Sequence, residues 1–306
     1  MNPASLTSWL LSQATHERLY LAHVAAMVLL VLTTSACGLA GFREDALGPA
    51  KSTLGTTGFP PVQDQAAGSG PQPWLGRRLV LDEPFTHGRV GPAQPWGWQT
   101  GAYPDCRTNP DNYKLDLLSK RALDFSDGKL RITASPARDG RWQTGLVTSG
   151  DSCSSGGLGF EVTTDDLVMA RVRLPRSNAG AWPGIWTWRE GGNEVDLFEW
   201  HSDRPHTLEF VNHFRGDGKY WTDPAVVDRG KWLNVAVHLG RRQVTWYVGS
   251  TRGRMRVVFA DRFGVGPRFR AHLIINLSVD DGRLHASPQT SSPFAFHIDS
   301  VAVYRR

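Results

Sequence analysis

With 306 residues, 40% of them hydrophobic and 21% charged, the chain has the composition of a folded protein able to bury a sizeable core. Its formal charge of +5 is small and its arginines are scattered, which argues against a nucleic-acid-binding stripe. Such a surface tolerates anionic polymers or lipid head groups but reads first as an ordinary solvated exterior.

The first element in chain order is the apolar run from Leu19 to Thr33, which follows Arg18 and leads into Thr34-Ser35-Ala36-Cys37-Gly38. A membrane span needs about 20 apolar residues, so this run is short for one, and the small residues before Cys37 suit a signal peptidase. The segment, residues 1–37, resembles a bacterial lipoprotein signal, which implies lipidation of Cys37 and a membrane anchor. Thr34 stands where such signals usually carry an aliphatic residue, so ordinary signal cleavage or an uncleaved anchor stays open. We expect an extracytoplasmic monomer, anchored or secreted. With Cys37 assigned to lipid, Cys106 and Cys153 remain as a candidate disulfide, which an oxidising compartment permits. Residues 38–73 are rich in Gly, Pro, Ala and Ser with almost no hydrophobic period, the mark of a tether. As a coil it would reach roughly 35 Å.

From Trp74 to Arg306 short alternating runs are separated by turn residues, the pattern of an all-β sandwich of two antiparallel sheets. Strands are expected at Lys129 to Ala134, Leu167 to Leu174, Trp232 to Leu239, Gln243 to Val248, His272 to Val279 and Phe294 to Tyr304. In the third of these, Leu233, Val235, Val237 and Leu239 share one face, so the strand should have one core side. Ser126-Asp127-Gly128, Gly216-Asp217-Gly218 and Asp280-Asp281-Gly282 supply turn chemistry. Trp232 and Trp246 are read as core residues.

The sharpest local feature is Asn193-Glu194-Val195-Asp196-Leu197-Phe198-Glu199-Trp200. On a strand Glu194 and Asp196 share a face and Val195 and Leu197 face the core. Strict alternation would bury Glu199, a costly place for an unpaired carboxylate. Either the strand ends first or a bulge near Leu197 and Phe198 returns Glu199 to the face of the other two. Three acids on one face suit glycoside hydrolysis, with carboxyl groups about 5–5.5 Å apart for retention of configuration. In that reading Glu194 attacks, Asp196 orients it, and charge clustering keeps Glu199 protonated as the acid. With 29 acids in 306 residues, however, this spacing arises by chance roughly 0.3 times per chain. A solubilising edge strand would look the same. The neighbourhood adds weight: Trp182 and Trp186 lie an even number of residues apart just upstream and Trp200 follows directly, offering aromatic faces on which sugars stack.

Together these residues resemble glycoside hydrolase family 16, the laminarinase and lichenase family of retaining β-glycanases. The match runs from about Leu79 to Tyr304. Glu194-Val195-Asp196-Leu197-Phe198-Glu199 looks like the bulged form of that family's signature, and Trp182-Pro183-Gly184-Ile185-Trp186 like its tryptophan motif. Further matches are Asp127-Gly128-Lys129-Leu130-Arg131-Ile132-Thr133-Ala134, Ile275-Asn276-Leu277-Ser278-Val279 and Ile298-Asp299-Ser300-Val301-Ala302-Val303-Tyr304. The resemblance implies an all-β jelly-roll (concanavalin A-like) sandwich with a concave cleft. Its nucleophile, helper acid and acid/base would be Glu194, Asp196 and Glu199, with substrate contacts at Asn212 and His213. Catalysis would need no cofactor, and a structural calcium would use Glu83, the Gly128 carbonyl and Asp299. The implied activity is endo-hydrolysis of a polysaccharide, most simply a β-1,3-glucan. A transglycosylase acting on an envelope glycan and a lectin-like, non-hydrolytic binding module are the alternatives. Linkage and main-chain sugar stay open.

Overall fold

Alternation of apolar and polar residues at period two dominates the chain after residue 72, and the computed structural model turns it into strands. It describes residues 72–150, 152–214, 217–250 and 255–306. The signal segment, Cys37, the tether as far as residue 71, and Gly216 of the second turn lie outside the described residues. Among the described residues no helix is long and apolar enough to cross a membrane.

In chain order the strands are β1 (Arg78–Glu83), β2 (Asp116–Leu118), β3 (Leu123–Asp124), β4 (Leu130–Pro136), β5 (Trp142–Thr144), β6 (Leu146–Thr148), β7 (Val162–Thr163), β8 (Leu167–Arg173) and β9 (Ala181–Trp188). They continue with β10 (Asp196–Glu199), β11 (Thr207–Asn212), β12 (Asp217–Thr222), β13 (Trp232–Leu239), β14 (Val244–Gly249), β15 (Arg256–Asp261), β16 (Arg270–Val279) and β17 (Phe294–Arg305). One sheet runs β15-β14-β13-β8-β17-β4-β5-β2, with β1 added on β17 and β3 on β4. The other runs β12-β11-β10-β9-β16-β6, with β7 added on β16. All ladders are antiparallel except β2 on β5. The six long strands expected from the sequence all form, within two residues at either end.

The two sheets bury one continuous core between them. Leu233, Val235, Val237 and Leu239 of β13 enter it, as do Phe198, Phe210, Trp246 and Phe296. Fully burying such a side chain contributes about 1.5–3 kcal/mol. The opposite face of β13 is not solvent-facing, contrary to the one-sided expectation. Ala236 lies in a small outer cluster with Leu167, Met169, Ala302 and Tyr304, covered by Trp74, Tyr247 and Met255. Trp232 is only half-buried and stacks under Arg171, 4.9 Å from its ring centroid, whereas Trp246 is fully buried.

Candidate active site

Asp196 and Glu199 are carried by β10, the short strand held between β9 and β11, and Glu194 lies just before it. Its register on β9 sets Asp196 opposite Trp186, Phe198 opposite Ile185 and Glu199 opposite Gly184, so two steps along β10 answer one step along β9. That extra residue is a β-bulge. It sends both Leu197 and Phe198 into the core and brings Glu199 back to the face of Asp196. Val195, bridged to Asn212 and fully buried, leaves Glu194 on that same face. Trp246, reaching across from β14 in the other sheet, donates its indole N–H to the Asp196 carbonyl at 2.7 Å and anchors the strand where the ladder is interrupted.

On this face the polar contacts are close. His213, just past β11, places Nε2 3.0 Å from Asp196 Oδ2 and 3.7 Å from Glu194 Oε1. Its backbone N–H donates to the Glu194 carbonyl at 3.2 Å. Glu199 Oε1 accepts the indole N–H of Trp182 at 2.8 Å. Trp182 and Trp186 lie on the floor, each less than one-tenth exposed, and Trp186 donates to Asn276 Oδ1 at 2.9 Å. They are a floor that fixes the acids more than open stacking faces. Trp188, next on that face of β9, is only half-buried. Gly184, opposite Glu199, leaves the space above the floor clear.

Burial is the first influence on the charges. It pushes the Asp196 carboxyl up to about 8, with Glu199 adding to the rise. It also raises Glu194, against the pull of the His213 cation. His213 is lifted to about 9, first by its hydrogen bond to Asp196. Charge clustering along the sequence does not by itself reveal the burial that raises Glu194 and Asp196.

Several further residues complete the face; Lys114, Tyr103, Asp116 and His201 were not singled out in the sequence, and Asp280 was read there as a turn residue. Lys114, almost buried, holds its ammonium 4.3 Å from the Trp182 ring centroid and 5.5 Å from that of Tyr103. Asp116 accepts from Tyr103 at 2.7 Å, Ser278 at 2.8 Å and the Val279 N–H at 2.8 Å. His201 packs on Trp182 at 4.7 Å and meets Asp280 at 3.1 Å. Burial lowers His201 to about 4 and raises Asp280 to about 7. The only hint in the sequence was that Asn276, Ser278 and Asp280 alternate along one run, which marks a shared face.

Two expected substrate contacts lie elsewhere. Trp200 is fully buried, with its indole N–H on the Pro205 carbonyl, because alternation beyond the bulge turns it inward once Glu199 faces out. Asn212 is also fully buried and donates to Asp261 Oδ2 at 2.9 Å and the Phe263 carbonyl at 3.1 Å, tying β11 to the opposite sheet. The expected calcium ligands are engaged as well. Both Glu83 oxygens accept protein donors, from Phe85 N–H at 2.6 Å and Trp96 Nε1 at 2.9 Å, and Asp299 pairs with Arg171 at 3.2 Å. An ion would have to compete with an indole and a guanidinium for Glu83 and Asp299, so these two carboxylates as arranged do not fit calcium. Cys106 and Cys153 are bonded across a sequence separation of 47, which in loop-closure terms contributes about 4 kcal/mol. The bridge fastens two loops beside Trp188, against whose ring Gly101 packs.

No family model and no curated protein sequence matches the chain. Solved structures do match. An endo-β-1,3-glucanase from Pyrococcus furiosus superposes with a TM-score of 0.59 at 18% identity, covering 75% of this chain and 94% of that one. A laminarinase from Flavobacterium sp. UMI-01 gives 0.56 at 20% identity, over 74% and 100%. A non-specific endo-β-1,3(4)-glucanase from family GH16 gives 0.55 at 17%, over 75% and 91%. What this chain shares with these proteins is the sandwich itself: it has the jelly-roll fold of glycoside hydrolase family 16.

Proposed function

We propose that the protein is an exported retaining endo-β-glycan hydrolase, most simply a β-1,3-glucanase, held at a membrane through Cys37 or secreted. The observation that carries this reading is the bulge in β10, which puts Glu199 on the face of Glu194 and Asp196 and gives it the Trp182 indole N–H. Nothing in the packing of a plain edge strand calls for such an arrangement. Two proteins with the same fold are an endo-β-1,3-glucanase and an endo-β-1,3(4)-glucanase, which favours a glucan substrate here.

In the proposed reaction the Glu194 carboxylate attacks the anomeric carbon while Glu199 hands a proton to the departing glycosidic oxygen. An ester between sugar and Glu194 results. Glu199 then takes a proton from water as that water attacks the same carbon, releasing a sugar of unchanged configuration and regenerating both groups. Asp196, hydrogen-bonded to His213, keeps a protonated neighbour beside Glu194, which limits repulsion among the acids. Trp182 orients Glu199 from below.

Glu194→Ala is expected to lower turnover on the order of 10⁴-fold or more while leaving the fold and glycan binding intact. Laminarin, mixed-linkage glucan, agarose, carrageenan and galactan, with product size and anomeric configuration followed by NMR, identify the substrate. Unchanged turnover in Glu194→Ala, or a product of inverted configuration, overturns the assignment.

A further inference from the structure

A second cavity lies away from the acids, at the edge of the sandwich where β8 ends and β17 begins. It holds about 450 Å³, within the roughly 300–1,000 Å³ range of small-ligand sites. Its lining contains Arg173, Arg176 and His297 and not one carboxylate. Register makes this more than chance proximity, because His297 on β17 stands directly opposite Arg173 on β8. Arg173 and Arg176 together bring two guanidinium charges to this cavity, and unpaired charge there calls for something to offset it.

Inside the protein little does. Arg173 donates through Nε to the Gly230 carbonyl at 3.2 Å, and among the described residues neither it nor Arg176 lies within ion-pair distance of an acid. Neighbouring arginines on the same sheet are matched: Arg131 pairs with Asp124 at 2.8 Å and Arg171 with Asp299 at 3.2 Å. The Nδ1 atom of His297 is buried without a hydrogen-bond partner. The remaining wall includes amide groups from Asn178 and Gln289, hydroxyls from Ser177, Thr290 and Ser292, and the apolar face of Pro288. Forked guanidiniums suit planar or tetrahedral oxyanions, whereas amides and hydroxyls suit the hydroxyl groups of a sugar.

From this combination we infer that the cavity binds an acidic saccharide, a sugar unit bearing a carboxylate or a sulfate ester. Its position gives that unit a place in a polymer. The segment 284–293 that forms one wall also carries His285, stacked on His201 at 3.6 Å, and His201 lies against Trp182 of the cleft floor. Pro288 of the same segment packs on Gly180, immediately before β9. At Gly180, whose φ is +82°, a side chain would be both strained and driven into Pro288, so the segment sits close upon the strand. Segment 284–293 thus links the cleft floor, through His285, to the cavity wall.

The inference stands apart from the hydrolase reading and is tested without turnover. In Glu194→Gln protein, calorimetric titration would use a sulfated carrageenan disaccharide, a glucuronate disaccharide, neutral laminaribiose and inorganic sulfate. At least one acidic disaccharide should bind, weaken with added salt, and lose about ten-fold in affinity in Arg176→Gln, with Arg176→Lys, which keeps the charge and loses the fork, falling between. Arg176 is exposed, so an unchanged melting temperature should accompany the loss. Failure of both acidic disaccharides to bind, equal binding by laminaribiose or by inorganic sulfate, or undiminished affinity in Arg176→Gln overturns it.

Discussion

Among the described residues, His213 is the one cation within 4 Å of two of the three acids, and its charge influences the protonation of its neighbours. A positive group favours the ionised form of a carboxyl beside it, so removing it must raise that carboxyl's pKa. His213→Gln should therefore leave Glu194 protonated to higher pH, and the acid limb of the kcat/KM profile should move upward. A limb that stays in place, measured between pH 4 and 9, would mean that the imidazole positions substrate and leaves the nucleophile untuned. Adjacent residues show how far the sequence could be followed at this scale. Asn212 and His213 both looked like cleft contacts, yet neighbours on an extended chain point to opposite sides. Val195 and Asn212 meet in the core, and His213 is left on the side of the acids.

At the scale of the element, the long strands were legible because each shows three or more alternations, while β3 and β7, two residues apiece, are too short to show a period. The bulge was legible for a different reason: an unpaired carboxylate at Glu199 could not be left in the core. Trp200 was misread because its side follows from where the extra residue sits, and alternation has to be recounted from there. The same counting yields a test. Deleting Leu197 leaves Glu-Val-Asp-Phe-Glu, in which plain alternation puts all three acids on one face without a bulge. The variant loses a buried leucine, a destabilisation of about 2–5 kcal/mol, and shifts Glu199 relative to Trp182. It should nevertheless fold with a native-like far-ultraviolet spectrum and keep measurable hydrolysis. A soluble, folded variant without any activity would show that the bulge itself, beyond the shared face, is required.

Across the whole molecule, the cleft is assembled from segments that sequence order keeps far apart. Asp116 is held by Ser278 and Val279, and His201 by Asp280, pairings for which no local pattern exists to be read. Gathering titratable groups in a buried cleft also makes stability depend on pH. Unfolded Asp and His titrate near 3.9 and 6.5. Folded Asp280 and Asp196 hold their protons to about 7 and 8, chiefly through burial, and His213 to about 9 through its bond to Asp196. Between pH 6.5 and 9 the folded protein thus binds more protons than the unfolded chain, and its stability must fall as pH rises. Below 6.5 an opposing contribution enters: His201, neutral down to about 4 because it is buried, favours folding increasingly as pH rises from 4 toward 6.5. His238, His285 and His297 are lowered by burial too and act in the same sense. Below pH 6.5 these histidines oppose the fall that Asp196 and Asp280 impose from about pH 4 upward, so Tm should vary less there than above 6.5. It should decline toward pH 9, with a smaller decline in His213→Gln because the group that holds its proton longest is gone. Calorimetric melting from pH 4 to 9 checks this, and a Tm rising steadily through pH 8 would mean that the cleft acids are ionised in the folded state at neutral pH.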